Sequence, residues 1–313
     1  MKLAVDLHSH SSYAGGVGKI SLEDISFIMK IKGIDVFGTG DCLCPARTAE
    51  LSSRLQQKFS GLYSLTGDKS LFLLQTEVIF TTRLPGHKNR IIAHHLLLFP
   101  DFSALYRVQK LLSSWQVKNT IGRPFLISSD RIQLQDQLFS ILDQDQGIEL
   151  IPAHIMTPDG IYGSRNNLEE LLEFYGDFLP NIHAVETGLS ADPSMLEKIP
   201  DLADLTFISA SDCHSAALNR VGREFTILEA NELSYAGIIR AIRENQVVIT
   251  AEFHPAEGKY YLTGHRFSRP GHADSLWYEE KTACSGICPV CGKTMLTGVK
   301  QRCFQLQDEQ IKP

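Results

Sequence analysis

Leu3-Ala4-Val5-Asp6-Leu7-His8-Ser9-His10 runs from an apolar segment straight into an acid and two alternating histidines. Such a run reads as a buried strand with Asp6, His8 and His10 gathered at its carboxyl end. Imidazole and carboxylate together hold zinc or manganese and still leave room for water. The pattern recurs downstream. Thr39-Gly40-Asp41, Thr76-Glu77, His94-His95, His154 and Asp212-Cys213-His214 each lie in or just after an apolar run. No simple structural core needs that collection, whereas a multi-metal hydrolytic site does.

Seven strand-like runs cover Leu3–Leu7, Asp35–Thr39, Leu71–Phe80, Ile91–Phe99, Ile148–His154, Ile182–Thr187 and Leu205–Ser209. Amphipathic stretches separate several of them. Ser21–Lys32 carries Leu22, Ile25, Ile28 and Met29 on one face, with Ser21 placed to cap. Asn167–Tyr175 and Ser234–Asn245 follow the same pattern. Strand–helix alternation with strands apolar on both faces predicts an α/β fold around a parallel sheet. Candidate ligands mostly fall at or just past the carboxyl ends of the runs, and the seven runs predict a (β/α)7 barrel with its site on that rim.

The pattern changes near Glu252. Residues 1–252 are expected to form the barrel, and residues 253–313 a small C-terminal zinc-binding module. There Cys284, Cys288 and Cys291 are closely spaced, and Cys288-Pro289-Val290-Cys291-Gly292 has the form of a zinc knuckle. Cys303, His265 or His272 is the expected fourth ligand. The odd total of 7 cysteines, with no secretory pattern at the start, favours thiols and metal ligands over disulfides. No apolar run is long enough for a membrane helix, and the expected compartment is the cytoplasm. Net charge is −6. Acidic side chains outnumber basic ones over residues 1–253, and the balance reverses over 254–303. Bound divalent ions offset acidic charge, so nucleic acid is not excluded as a partner.

Together these motifs resemble the PHP metal-dependent phosphoesterase superfamily: an early His-x-His, a Thr-Asp motif, an interior Glu, scattered histidines and a late Asp-x-His. More narrowly, Val36–Asp41, Ile151–His154, Glu186–Pro193, Gly222-Arg223-Glu224 and the segment Phe253–Arg266 with its cysteine knuckle are similar to the endonuclease Q family. Its members nick DNA beside deaminated bases such as hypoxanthine, uracil and xanthine, or at abasic sites. The resemblance covers nearly the whole chain. It implies a distorted seven-stranded barrel with two to three divalent ions (Zn, Mn or Mg), and one structural zinc in the C-terminal module. On that mapping His8, His10 and Asp212 hold one ion, and Glu77 bridges it to a second held by His95 and His154. Asp41 and His214 hold a third. His95 is preferred over His94 because His-Leu fits the superfamily motif. Two departures stand out: Ser11–Gly18 contains no further histidine, and the chain ends soon after the knuckle where the family continues into a helical region.

Phosphodiester cleavage needs an activated water and relief of charge on the transferring phosphate, which paired ions supply. Glu77 and Asp212 are the expected catalytic carboxylates. Arg223 is the expected phosphate partner, because a guanidinium fork matches phosphate oxygens. Glu186 is either an active-site acid or a turn cap. A nuclease that inspects a base must extrude it, and Tyr13, Tyr162, Tyr260 and Tyr261 are candidate stacking residues. DNA with deaminated bases is the expected partner; no protein partner is indicated. The competing readings are a PHP phosphatase acting on a small phosphorylated metabolite and a metal-binding homologue without turnover.

Overall fold

A computed structural model describes residues 1–15, 17–265, 276–278 and 286–307. Its strands are β1 (Lys2–Asp6), β2 (Val36–Gly38), β3 (Leu55–Phe59), β4 (Leu62–Leu65), β5 (Leu71–Thr82), β6 (Ile91–Phe99) and β7 (Phe125–Ile127). They continue with β8 (Glu149–Pro152), β9 (Ala184–Glu186), β10 (Thr206–Ile208), β11 (Phe225–Glu229), β12 (Val247–Ala251), β13 (Thr263–His265) and β14 (Leu276–Tyr278). All seven expected strands are present, as β1, β2, β5, β6, β8, β9 and β10.

The sheet is mixed, not parallel. β1 pairs in parallel with β2 and antiparallel with β11, whereas β6 is antiparallel to both β5 and β8. The expected closed barrel is not what the described strands form. A 10-stranded sheet carries most of them, and β9 with β10 makes a separate parallel pair. At the seams, side chains and isolated bonds replace a continuous ladder. Asp6 accepts from Ser211 N and Gly222 N, both at 2.9 Å. Thr226 Oγ1 accepts from Ser209 N at 2.8 Å. Ile155 N reaches Glu186 O, and Ser9 meets Cys213 in an isolated parallel bridge.

Strand parity divides the apolar side chains into two buried clusters. One contains Leu3, Val5, Leu7, Leu71, Leu73, Leu96, Leu98 and Ile151, packed on Ile238, Ile239 and Ile242 of the helix Tyr235–Arg243. The other contains Phe72, Leu74, Phe80, Leu97 and Phe99, with side chains from the outer helices. The helix Leu22–Lys32 starts as expected, with Ser21 accepting from Asp24 N. The helix Leu171–Tyr175 is shorter than its amphipathic pattern. Near the C-terminus, the helix Val299–Gln307 places Val299, Cys303 and Leu306 in the second cluster. Its Arg302 is buried and donates to Tyr162 O and Leu168 O.

Candidate metal centre

On β5 the face that begins with Leu71 and Leu73 continues through Gln75 to Glu77, turning from apolar to polar along one side of the strand. Beside it on β6, His94 shares the parity of Leu96 and Leu98. β1 delivers His8 and His10 just past its end, β8 delivers His154, and β10 delivers Asp212 and His214. These side chains converge. His10 Nε2 lies 3.2 Å from Asp212 Oδ1 and 3.6 Å from Glu77 Oε2. His8 Nε2 lies 3.5 Å from Asp212 Oδ1 and 4.0 Å from Glu77 Oε1. On its other side, Glu77 Oε1 meets His94 Nδ1 at 2.6 Å and His154 Nε2 at 3.2 Å.

The outer side of each imidazole is fixed by a second group. His8 Nδ1 donates to Glu186 at 2.9 Å, and His10 Nδ1 to Asp41 at 3.3 Å. Thr157 Oγ1 lies 2.8 Å from His154 Nδ1. These contacts turn Nε2 of all three rings towards the shared space, as orienting groups do for metal ligands. Asp41, expected as a ligand to a third ion, instead accepts from His10, from Ser11 N and from Ser11 Oγ. His214 groups with His10 and Asp212, not with Asp41. Glu186 holds both His8 and the backbone N of His154, the latter at 2.7 Å. Its role here is orientation rather than turn capping.

His95 requires a correction. Parity sends it to the opposite face, where its ring packs on Phe80 and Phe174. Its Nδ1 lies 3.2 Å from Ala93 O and its Nε2 2.6 Å from Tyr175 Oη. Burial pushes its pKa down to about 3, so the ring stays neutral in the core. His94 takes the place expected for it.

The electrostatics record a cluster of acids and imidazoles facing one another. Burial alone would discharge His10, but the facing carboxylates of Asp212 and Asp41 hold it up to about 10. Burial likewise opposes charge on His154, and Glu77 holds it up to about 9. The Glu77 carboxyl, disfavoured by burial, is held well below the usual range by His94, His154 and His10. Three ligand atoms, His8 Nε2, Glu77 Oε2 and Asp212 Oδ1, are buried without a hydrogen-bond partner. Orphans of this kind are costly unless something fills the space between them. The donor set, imidazole nitrogens and carboxylate oxygens, is that of a divalent transition metal. Three residues here, Asp41, His154 and Asp212, also have positive φ, at 53°, 31° and 43°. Backbone strain of this kind concentrates at functional sites.

Above the centre lies an open pocket of about 900 Å³. Arg223 lines it and donates to Ser211 O through Nε at 2.8 Å. Arg123, which belongs to none of the sequence motifs, lines it too. It sits 3.5 Å from Glu77 Oε2. Of the candidate stacking residues, Tyr260 lines the pocket and Tyr162 is wholly buried in the core. Phe253, an exposed aromatic outside that set, also lines the pocket.

At the C-terminal end His265, Cys288 and Cys291 gather, with Cys291 Sγ 3.5 Å from His265 Nε2. Cys303 is corrected. It is buried with Val299 and Leu306, and burial pushes its thiol up to about 12. Cys284 and His272 lie outside the described residues.

Endonuclease Q bound to a 27-mer duplex with an abasic lesion at its active site superposes on the chain with a TM-score of 0.82. It is 30% identical, over 100% of this chain and 74% of that one. The chain belongs to the endonuclease Q family. Membership makes it a nuclease that hydrolyses phosphoester bonds. The lesion-specific endonuclease Q of Pyrococcus furiosus gives a TM-score of 0.80 at 29% identity, over 100% of this chain and 73% of its own. An uncharacterised protein of Bacillus subtilis, YqxK, is 26% identical over 98% of this chain and 78% of its length. No family model matches. No described helix is long and apolar enough to cross a membrane.

Proposed function

We propose that this member of the endonuclease Q family is a metal-dependent DNA endonuclease that hydrolyses the phosphodiester beside deaminated bases or at abasic sites. The observation that carries this is the convergence of buried His8 Nε2, Glu77 Oε2 and Asp212 Oδ1, none of them hydrogen-bonded, beneath a pocket lined by Arg123, Arg220, Arg223 and Lys259. In this reading His8, His10 and Asp212 would hold one divalent ion and His94 and His154 another, with Glu77 available to both groups. Bound there, such ions lower the pKa of water and offset charge on the transferring phosphate. The protein's own groups do the rest. Glu186, Asp41 and Thr157 fix the imidazoles so that no reorganisation is needed when substrate arrives. Arg223 and Arg123 present guanidinium forks to phosphate oxygens. The apolar and aromatic walls, Leu189, Phe253 and Tyr260, suit a base taken out of the stack. His265, Cys288 and Cys291 would hold one structural zinc in a module beginning near residue 253, appended to a catalytic unit of residues 1–252. The unpaired thiols of Cys42, Cys44 and Cys213 suit a reducing cytoplasm.

The test is a nicking assay with Mg²⁺, Mn²⁺ or Zn²⁺ on labelled duplexes carrying deoxyinosine, deoxyuridine, an abasic site or no lesion. Lesion-dependent nicks should be lost in both His8→Ala and Asp212→Ala. Absence of any nick with every metal refutes the reading.

A further inference from the structure

Gln75 is wholly buried on β5, two residues before Glu77 and on the same face of the strand. Leu71 and Leu73 precede it on that face and join the apolar cluster, so a leucine would suit position 75 as well. The amide does something a leucine cannot. Its Oε1 accepts from Ser9 N at 3.3 Å and from Gly40 N at 3.1 Å. Two N–H groups aimed at one atom fix the orientation of the amide, because only its oxygen accepts. That leaves Nε2 buried with no hydrogen-bond partner, which costs stability at this position.

The two donors belong to the turns that build the metal centre. Ser9 stands between His8 and His10, and Gly40 immediately precedes Asp41, whose carboxylate orients His10. The turns meet without room for a side chain. A Cβ on Gly40, where φ is +65°, would lie 2.9 Å from the His10 carbonyl carbon. One on Gly38 would lie 2.9 Å from Leu7 O and 3.0 Å from Gln75 Oε1. The remaining ligands are placed by other means. Glu77 pairs with Leu96 in the β5–β6 ladder, which also carries His94, and His154 is held by Glu186 and Thr157.

We propose that Gln75 is a positioning residue that locks the His8–His10 turn to the Gly40–Asp41 turn. It thereby sets the geometry of the ligand group His8, His10 and Asp212, while the group of Glu77, His94 and His154 stands without it. Ligands bind an ion well only when held within about 0.5 Å of the required geometry, and one shared acceptor between two turns supplies that restraint. The proposal rests on the two-ion reading of the centre given above, and not on the identity of the substrate.

The experiment uses the full chain and no DNA. Amide hydrogen exchange of the metal-free protein reads the lock itself, and calorimetric titration with Mn²⁺ reads its consequence. Mn²⁺ favours oxygen and imidazole over thiolate, which keeps Cys288 and Cys291 out of the titration. Gln75→Leu should speed exchange at Ser9 and Gly40 about tenfold, with the β5–β6 ladder still protected. It should weaken one Mn²⁺ step about 10–100-fold and leave the other unchanged. Gln75→Glu keeps an oxygen acceptor before both N–H groups, and should restore protection at Ser9 and Gly40. The backbone bonds of position 75, to Thr39 Oγ1 and from Cys42 N, are common to all three proteins. Equal weakening of both Mn²⁺ steps, lost protection throughout β5 and β6, or no rescue by Gln75→Glu overturns the proposal and leaves the metal centre standing. An unaltered protein that binds no Mn²⁺ removes both.

Discussion

His94 and His95 are chemically identical neighbours with opposite fates, because successive side chains of a strand point to opposite faces. Composition cannot choose between them. The choice was legible from parity, since Leu96 and Leu98 line the same face as Leu3 and Val5 while Leu97 and Phe99 join the outer cluster. Motif resemblance overrode that signal and pointed to His95. The two should separate cleanly in experiment. His94→Ala should weaken divalent-metal binding roughly 10–100-fold, read by calorimetric titration, with little change in melting temperature of the metal-free protein. His95→Ala should keep metal stoichiometry but lose about 2–4 kcal/mol of stability in urea, through a cavity and an orphaned Tyr175 hydroxyl. Glu186 shows the opposite limit. Nothing in Ala184-Val185-Glu186 distinguishes an orienting acid from a turn cap, because its partners, His8 and His154 N, lie far away in sequence. Glu186→Gln should cost about 10–100-fold in metal affinity while His8 and Asp212 remain in place.

Among the elements, the seven runs named from the sequence all became strands, since apolar runs flanked by polar ends survive almost any tertiary context. Their pairing directions did not follow. β5 and β6 are long and joined by a short connection, so they fold back as an antiparallel pair, and the expected parallel barrel becomes a mixed sheet with open seams. The short strands β3, β7 and β12 are largely exposed and escaped notice, as did β4, which is buried but only four residues long. Cys303 was misjudged for a similar reason. It lies on a helix whose buried face, with Val299 and Leu306, was not recognised. Arg302 ties that helix to the loop between Tyr162 and Leu168, a short way beyond His154 in the chain. Arg302→Ala leaves buried carbonyls unpaired, at a cost of about 1–3 kcal/mol. Limited proteolysis should then cut within the segment 155–168 before the rest of the chain opens.

The molecule as a whole carries its charge in a pH-dependent balance. His10 and His154 have folded pKa values raised to about 10 and about 9 by Asp212, Asp41 and Glu77. Their contribution to stability is therefore fully present below the unfolded value near 6.5 and is lost as pH rises through about 9 to 10. Metal-free protein should melt at progressively lower temperature from pH 7 to 10. Divalent ions compete with those protons for the same nitrogens, so metal binding should release protons, and its affinity should climb with pH. A titration in two buffers of different ionisation enthalpy checks this directly.

The same centre draws its groups from both ends of the folded catalytic chain: His8 and His10 near the start, Glu77 and His94 later, then His154, and finally Asp212. On a ribosome, the first histidines emerge long before the carboxylate that completes them. In the proposed reading, a nascent or prematurely terminated chain ending short of Asp212 would lack the closing group, so hydrolysis would be withheld until synthesis had passed that point and β10 had docked. The long sequence separation makes assembly of the site a late and slow event. If the proposed site is right, chain order alone would act as an interlock on cutting.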